Sequence, residues 1–95
     1  MIFATVFSAD SNGNPDVKSR KFIGYDSDIE SAKNFVKHNL TKLVKEFKYI
    51  VFEDIKPGYK SAIYEKKWYR LTENDLEELE KPFSIKNIAC FAVDL

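Results

Sequence analysis

The sequence predicts an α+β domain: an antiparallel-rich sheet of about five strands, in the order β-β-α-β-β-α-β, with one long amphipathic helix packed on one face. Three observations carry this. Short runs rich in aromatic and β-branched residues recur between Gly, Pro and Asn signals. One long stretch opens on a capping sequence and repeats its apolar residues at helical spacing. The chain has 95 residues, 44% hydrophobic and 32% charged, which is one domain's worth of ordinary globular sequence. A single domain over residues 1–95 is expected.

The elements follow in order. "MIFATVFSA" alternates bulky and small residues, giving a first strand at about 2–8. "VKSRKFIGY" gives a second at about 17–24, joined to the first as a hairpin across the Asn/Gly/Pro cluster. "SDIE" at 27–30 reads as a capping box, with Ser27 and Glu30 each satisfying the other's backbone amide. From there Ile29, Ala32, Phe35, Val36, Leu40, Leu43, Val44 and Phe47 fall on one stripe, while Asn34, Lys37, His38, Thr41 and Lys45 fall opposite.

"KYIVFEDI" is the next strand, and "KPGY" at 56–59 suits a type II turn. "SAIYEKKWYRL" follows as one strand, or as two short ones bent at Lys66 and Lys67. Thr72 reads as the cap of a short acidic helix, "ENDLEELE", which Pro82 stops. "SIKNIACFAVDL" closes the chain as a strand whose apolar centre fits the middle of a sheet. Without the second strand the order is βαββαβ, the split arrangement of ferredoxin-like domains.

Composition narrows the function classes. Fifteen basic and fifteen acidic residues balance, so no global field draws the chain to nucleic acid or anionic lipid. The distribution is uneven: residues 17–48 carry eight positive and four negative side chains, net +4, while 1–16 and 49–95 each sum to −2. No apolar run is long enough to span a bilayer, and the first residues carry no secretion signal. The single cysteine, Cys90, allows no internal disulfide and fits a reducing compartment. A cytoplasmic protein without a membrane partner is expected.

Motifs for chemistry are sparse. "ADSNGNPD" alternates oxygen-bearing side chains at Asp10, Asn12, Asn14 and Asp16, like the front of a calcium loop. An EF-hand loop needs Gly at its sixth position and Glu at its twelfth; here those places hold Pro15 and Lys21, so a turn is the better reading. Asp26, Asp28 and Glu30 are explained by helix capping and the helix dipole. Glu53 and Asp54 are adjacent in a strand and point to opposite faces, so they form no acid/base pair. Cys90 sits in an apolar strand and His38 on the polar helix face, which separates the only candidate nucleophile from the only imidazole. No phosphate loop, paired-His motif or CxxC occurs. No catalytic residue, metal or cofactor is therefore assigned.

What remains is surface. Tyr64, Lys66, Trp68 and Arg70 alternate onto one strand face, and Tyr, Trp and Arg are the residue types enriched in protein-interface hot spots. The acidic stretch Glu73, Asp75, Glu77, Glu78 and Glu80 offers a surface for a basic partner, or balances the lysines of the long helix. The expected function is a small non-enzymatic binding or regulatory module acting through protein contacts, in the manner of phage or mobile-element inhibitors. Its binding residues would be Tyr64, Trp68, Arg70, Glu77, Glu78 and Glu80. The alternative is single-stranded nucleic-acid binding, with the aromatic strand as a stacking platform and Lys37, Lys42, Lys45 and Lys48 on phosphates. Homodimerisation through a sheet edge or the aromatic face is open as well.

Overall fold

A computed structural model describes residues 1–56 and 63–79. They form strands β1 (Ile2–Phe7) and β2 (Lys21–Asp26), helices α1 (Ile29–His38) and α2 (Leu40–Leu43), then strands β3 (Tyr49–Lys56), β4 (Ile63–Leu71) and β5 (Leu76–Glu78). The strands make one sheet in the order β2-β1-β3-β4-β5, antiparallel at every junction. The predicted α+β class with an antiparallel sheet is the one the chain adopts. β4 runs without interruption through Lys66 and Lys67, so the two-strand alternative is not needed.

Strand alternation divides the core in two. Ile2, Ala4 and Val6 of β1 stand opposite Asp54, Phe52 and Ile50 of β3. With Tyr69 and Leu71 they meet Ala32, Val36 and Leu40 from the helices, and Phe47 beyond them, in one buried cluster. On the other face Phe7, Tyr49, Val51 and Trp68 form a second cluster, against which Leu79 packs. Each fully buried aliphatic or aromatic side chain in these clusters contributes about 1.5–3 kcal/mol relative to exposure.

Several local expectations are corrected. The second strand begins at Lys21, because Val17–Ser19 form a 3-10 turn capped by the Asp16 carboxylate, which accepts from the Lys18 amide at 3.0 Å. β1 and β2 do pair, but across a longer excursion than a tight hairpin. The helix is capped one residue later than the expected box: Asp28 accepts from the Ser31 amide at 2.9 Å, while the Ser27 amide donates to Asp26 at 2.6 Å. A charged carboxylate satisfies the free amides better than the Ser27 hydroxyl.

The long helix is broken at Asn39. The Asn39 side chain donates to the Phe35 carbonyl and its amide to that of Val36, so polar capping ends α1 before the stripe is complete. Phe35 lies on the predicted stripe yet remains 52% exposed, overhanging the edge of the core.

The described part of the acidic segment forms no helix, and Leu76–Glu78 is instead a strand paired with β4, last in the order of the described strands. Thr72 and Asp75 do interact, but they close a turn: the Thr72 amide and hydroxyl both donate to the Asp75 carbonyl, and the Asp75 amide donates to the hydroxyl.

The helices join β2 to β3, and β1 lies between these two strands, antiparallel to both, so β2, the helices and β3 make a split βαβ unit. It is built on β2, the strand whose omission gave the ferredoxin-like order, and β1 takes the middle place. The turn expected at 56–59, Glu80, Pro82, the final strand and Cys90 lie outside the described residues, apart from Lys56, which ends β3.

Candidate protein-binding site

The site follows from one irregularity in β2. Ala4 stands opposite Gly24 while Thr5 stands opposite Phe22, so Ile23 is an extra residue, a β-bulge. A bulge resets the alternation of side chains. Phe22 and Tyr25, three apart, would point to opposite faces of a regular strand. Here they register with Thr5 and Phe3, which share one face of β1. The Phe3 ring lies 6.0 Å from both the Phe22 and Tyr25 rings, tilted by 44° and 43°. Such tilted aromatic contacts are favourable and restrain the rings.

These aromatics are on the outside. Tyr25 is 66% and Phe22 43% exposed, and β2 is at the end of the sheet order. Gly24, at φ +156°, has no side chain, and the small Ala4 and Ala32 lie beside it. The result is a cavity of about 250 Å³, lined also by Tyr25, Asp26 and the overhanging Phe35. Among the described residues β2 is thus an edge strand, with exposed aromatic rings on one face, an apolar hollow on the other, and opposite charges at its ends, Lys21 and Asp26.

The residues expected to bind are scattered. Trp68 is 3% exposed, its ring 5.2 Å from Phe7, so it is core. Arg70 and Glu77 are exposed and stand opposite each other on β4 and β5, on the same face as Trp68. Glu78, opposite the buried Tyr69, turns to the helix side. The side chain of Tyr64 and all of Glu80 lie outside the described residues. No single patch of the described residues unites the six.

The lysines are exposed at 37, 42, 45 and 48, and they are partly balanced as anticipated. Lys37 Nζ lies 3.5 Å from the Asp75 carboxylate in the β4–β5 turn. The Leu76 amide and then Lys37 hold Asp75 below its ordinary value. Lys33 lies with its ammonium 4.9 Å from the Tyr69 ring centroid; hydrogen bonding to Tyr69 raises its pKa, against the partial burial that opposes it. Asp28 is held low chiefly by the Ser31 amide, as a helix cap should be.

The stretch around Asn12 is built by turn chemistry. The Asp10 carboxylate accepts from the amides of Asn12 and Asn14, both at 2.9 Å, and Gly13 takes φ +82°. The Tyr49 hydroxyl donates to the Gly13 carbonyl and ties the loop to the sheet. Among the described residues no cluster of His, Cys, Asp and Glu is placed to hold a metal ion, and no helix is long and apolar enough to cross a membrane. His38 is exposed, its Nδ1 2.7 Å from the Asn34 carbonyl.

The β2 edge was missed in the sequence although its signal is there: a glycine inside the strand-like run "KFIGYD", flanked by two aromatics, marks a bulge. No family model matches this chain, no curated protein matches it, and no solved structure matches it.

Proposed function

We propose that this chain is a small non-enzymatic binding module that acts through protein contacts made along the β2 edge. The observation that carries the reading is the bulge that sets Phe22 and Tyr25 side by side, braced by Phe3 and exposed on an outer strand. An outer strand offers backbone donors and acceptors for strand addition, and aromatic rings beside it supply contact area at low entropic cost. A regulator or inhibitor working in the cytoplasm by occupying its target is the role such a module fits. The nucleic-acid alternative has less support, since Trp68 is buried where a stacking platform needs an exposed ring, and Lys37 already faces Asp75.

The test is an affinity capture with the tagged chain, with and without nuclease, beside the Phe22→Ser/Tyr25→Ser variant. The expected result is a stoichiometric protein, a different chain or an untagged copy, that survives nuclease and is lost from the variant. Capture that vanishes with nuclease, or that ignores the variant, overturns the reading.

A further inference from the structure

We propose that the occupant of the β2 edge is a second copy of this chain: two β2 strands pair antiparallel about a two-fold axis between Ile23 and Gly24, joining two sheets into one. This deepens the protein-binding reading above and rests on it.

The strand reads Lys21, Phe22, Ile23, Gly24, Tyr25, Asp26. Laid antiparallel on itself about its centre, it sets Lys21 opposite Asp26 of the second copy, Phe22 opposite Tyr25, and Ile23 opposite Gly24. Each pair is complementary. Opposite charges and aromatic pairs directly across an antiparallel junction are stabilising, and like charges are not. Gly24 carries no side chain, so Ile23 of the second copy meets no rival at the axis.

This register is forbidden to a regular strand. Residues directly opposite in an antiparallel pair project to the same face. Lys21 and Asp26 are five apart, and Phe22 and Tyr25 three apart, so strict alternation would put the members of each pair on opposite faces. The extra residue at Ile23 removes the conflict. Lys21 and Asp26 register with Val6 and Ile2 on the helix-covered face, and Phe22 and Tyr25 with Thr5 and Phe3 on the other. The bulge therefore makes β2 self-complementary in face as well as in charge.

The charges also select the register. A lysine on an outer strand ordinarily discourages pairing. Shifting the two strands by two residues one way would place Lys21 opposite Gly24 and Asp26 opposite Ser19; the other way would place Asp26 opposite Ile23 and Lys21 opposite Asp28, whose carboxylate already caps α1 beyond the end of the strand. Among the described residues Lys21 makes no ion pair, and Asp26 engages only the neighbouring Ser27, through one carboxylate oxygen. Both groups are therefore available to meet across the axis.

The experiment is sedimentation equilibrium over a range of concentrations on the full chain and on two charge reversals, Lys21→Glu and Asp26→Lys. The wild type is expected to double its mass as concentration rises. Each reversal alone faces like charges at two symmetric positions and should weaken association roughly tenfold or more. Mixed together, the two variants place opposite charges at both positions, so association should return.

A second measurement uses Lys21→Cys/Asp26→Cys with Cys90→Ser. Directly opposed residues have Cα atoms about 4.5–5.5 Å apart, within the span a disulfide bridges. Oxidation should give a covalent dimer from the doubly substituted chain and none from either single one. A chain that stays monomeric throughout, or a dimer indifferent to the reversals with no such cross-link, overturns the inference. An edge-dependent capture of a different protein by a monomeric chain overturns self-association and leaves the protein-binding reading standing.

Discussion

The indole of Trp68 lies 5.2 Å from the ring of Phe7, tilted by 41°, and both side chains are buried on the sheet face opposite α1. Trp68 is therefore a core residue whose removal should be read in stability. Trp68→Ala is expected to cost about 3–5 kcal/mol in urea unfolding. Arg70→Ala, two residues on and exposed, should stay within about 0.5 kcal/mol. As the only tryptophan in the chain, Trp68 also supplies the optical test. Its native emission should be blue-shifted and poorly quenched by acrylamide, and free quenching in the folded protein would contradict the burial.

The same face holds a charged pair. The Glu53 carboxylate is fully buried and lies 3.6 Å from Lys66 Nζ, directly across the β3–β4 junction. Removing one member of a buried pair strands the other in low dielectric, which is far worse than losing an exposed pair. A double-mutant cycle with Glu53→Gln and Lys66→Met should therefore give a coupling of about 1–3 kcal/mol. Additive effects would show that the two groups are held by separate partners and not by each other.

These two cases show what the sequence discloses and what it withholds. The apolar runs over Ile2–Phe7 and Tyr49–Phe52 are legible as strands because both faces of these inner strands are buried. The acidic segment was misread because Leu76 and Leu79, three apart, fit one helical face and equally two opposite faces of an extended chain. Leu76 in fact packs on the helix-side cluster and Leu79 on the Trp68 cluster. Pairing of Leu76 with Leu71 overrides the local helical preference. The β2 site was hidden for a related reason: alternation assigns faces correctly only while the register is regular, and Ile23 breaks it.

Two carboxylates contribute to the acid limb of stability. Asp28 is held below its ordinary value of 3.8 first by the Ser31 amide, and Asp75 first by the Leu76 amide and then by Lys37. A depressed folded pKa means that the unfolded chain takes up the proton first as pH falls. Their contribution is therefore complete above the unfolded value near 3.8 and is lost as pH drops through the lower folded values. Asp28→Asn keeps an acceptor for the Ser31 amide and cannot titrate, so its urea midpoint should fall less steeply between about pH 4 and 2 than that of the wild type. Asp28→Ala should be less stable at neutral pH, because the cap itself is gone. An identical acid slope in wild type and Asp28→Asn would sink the assignment.

Gly13 tests the loop that joins β1 to β2. Its φ of +82° lies where L side chains are strained, although a Cβ built there meets nothing within 4 Å. Any cost of Gly13→Ala is therefore one of backbone conformation and not of crowding, and about 1 kcal/mol is expected in urea unfolding. Gly13→Asn should cost less, since Asn tolerates positive φ better than Ala. Because the Gly13 carbonyl accepts from the Tyr49 hydroxyl, loosening the turn should also speed hydrogen exchange at the amides that Asp10 holds, Asn12 and Asn14, while the amides of β3 stay protected. Equal stability of the Ala variant, with unchanged exchange in the loop, would show that the turn does not need its glycine.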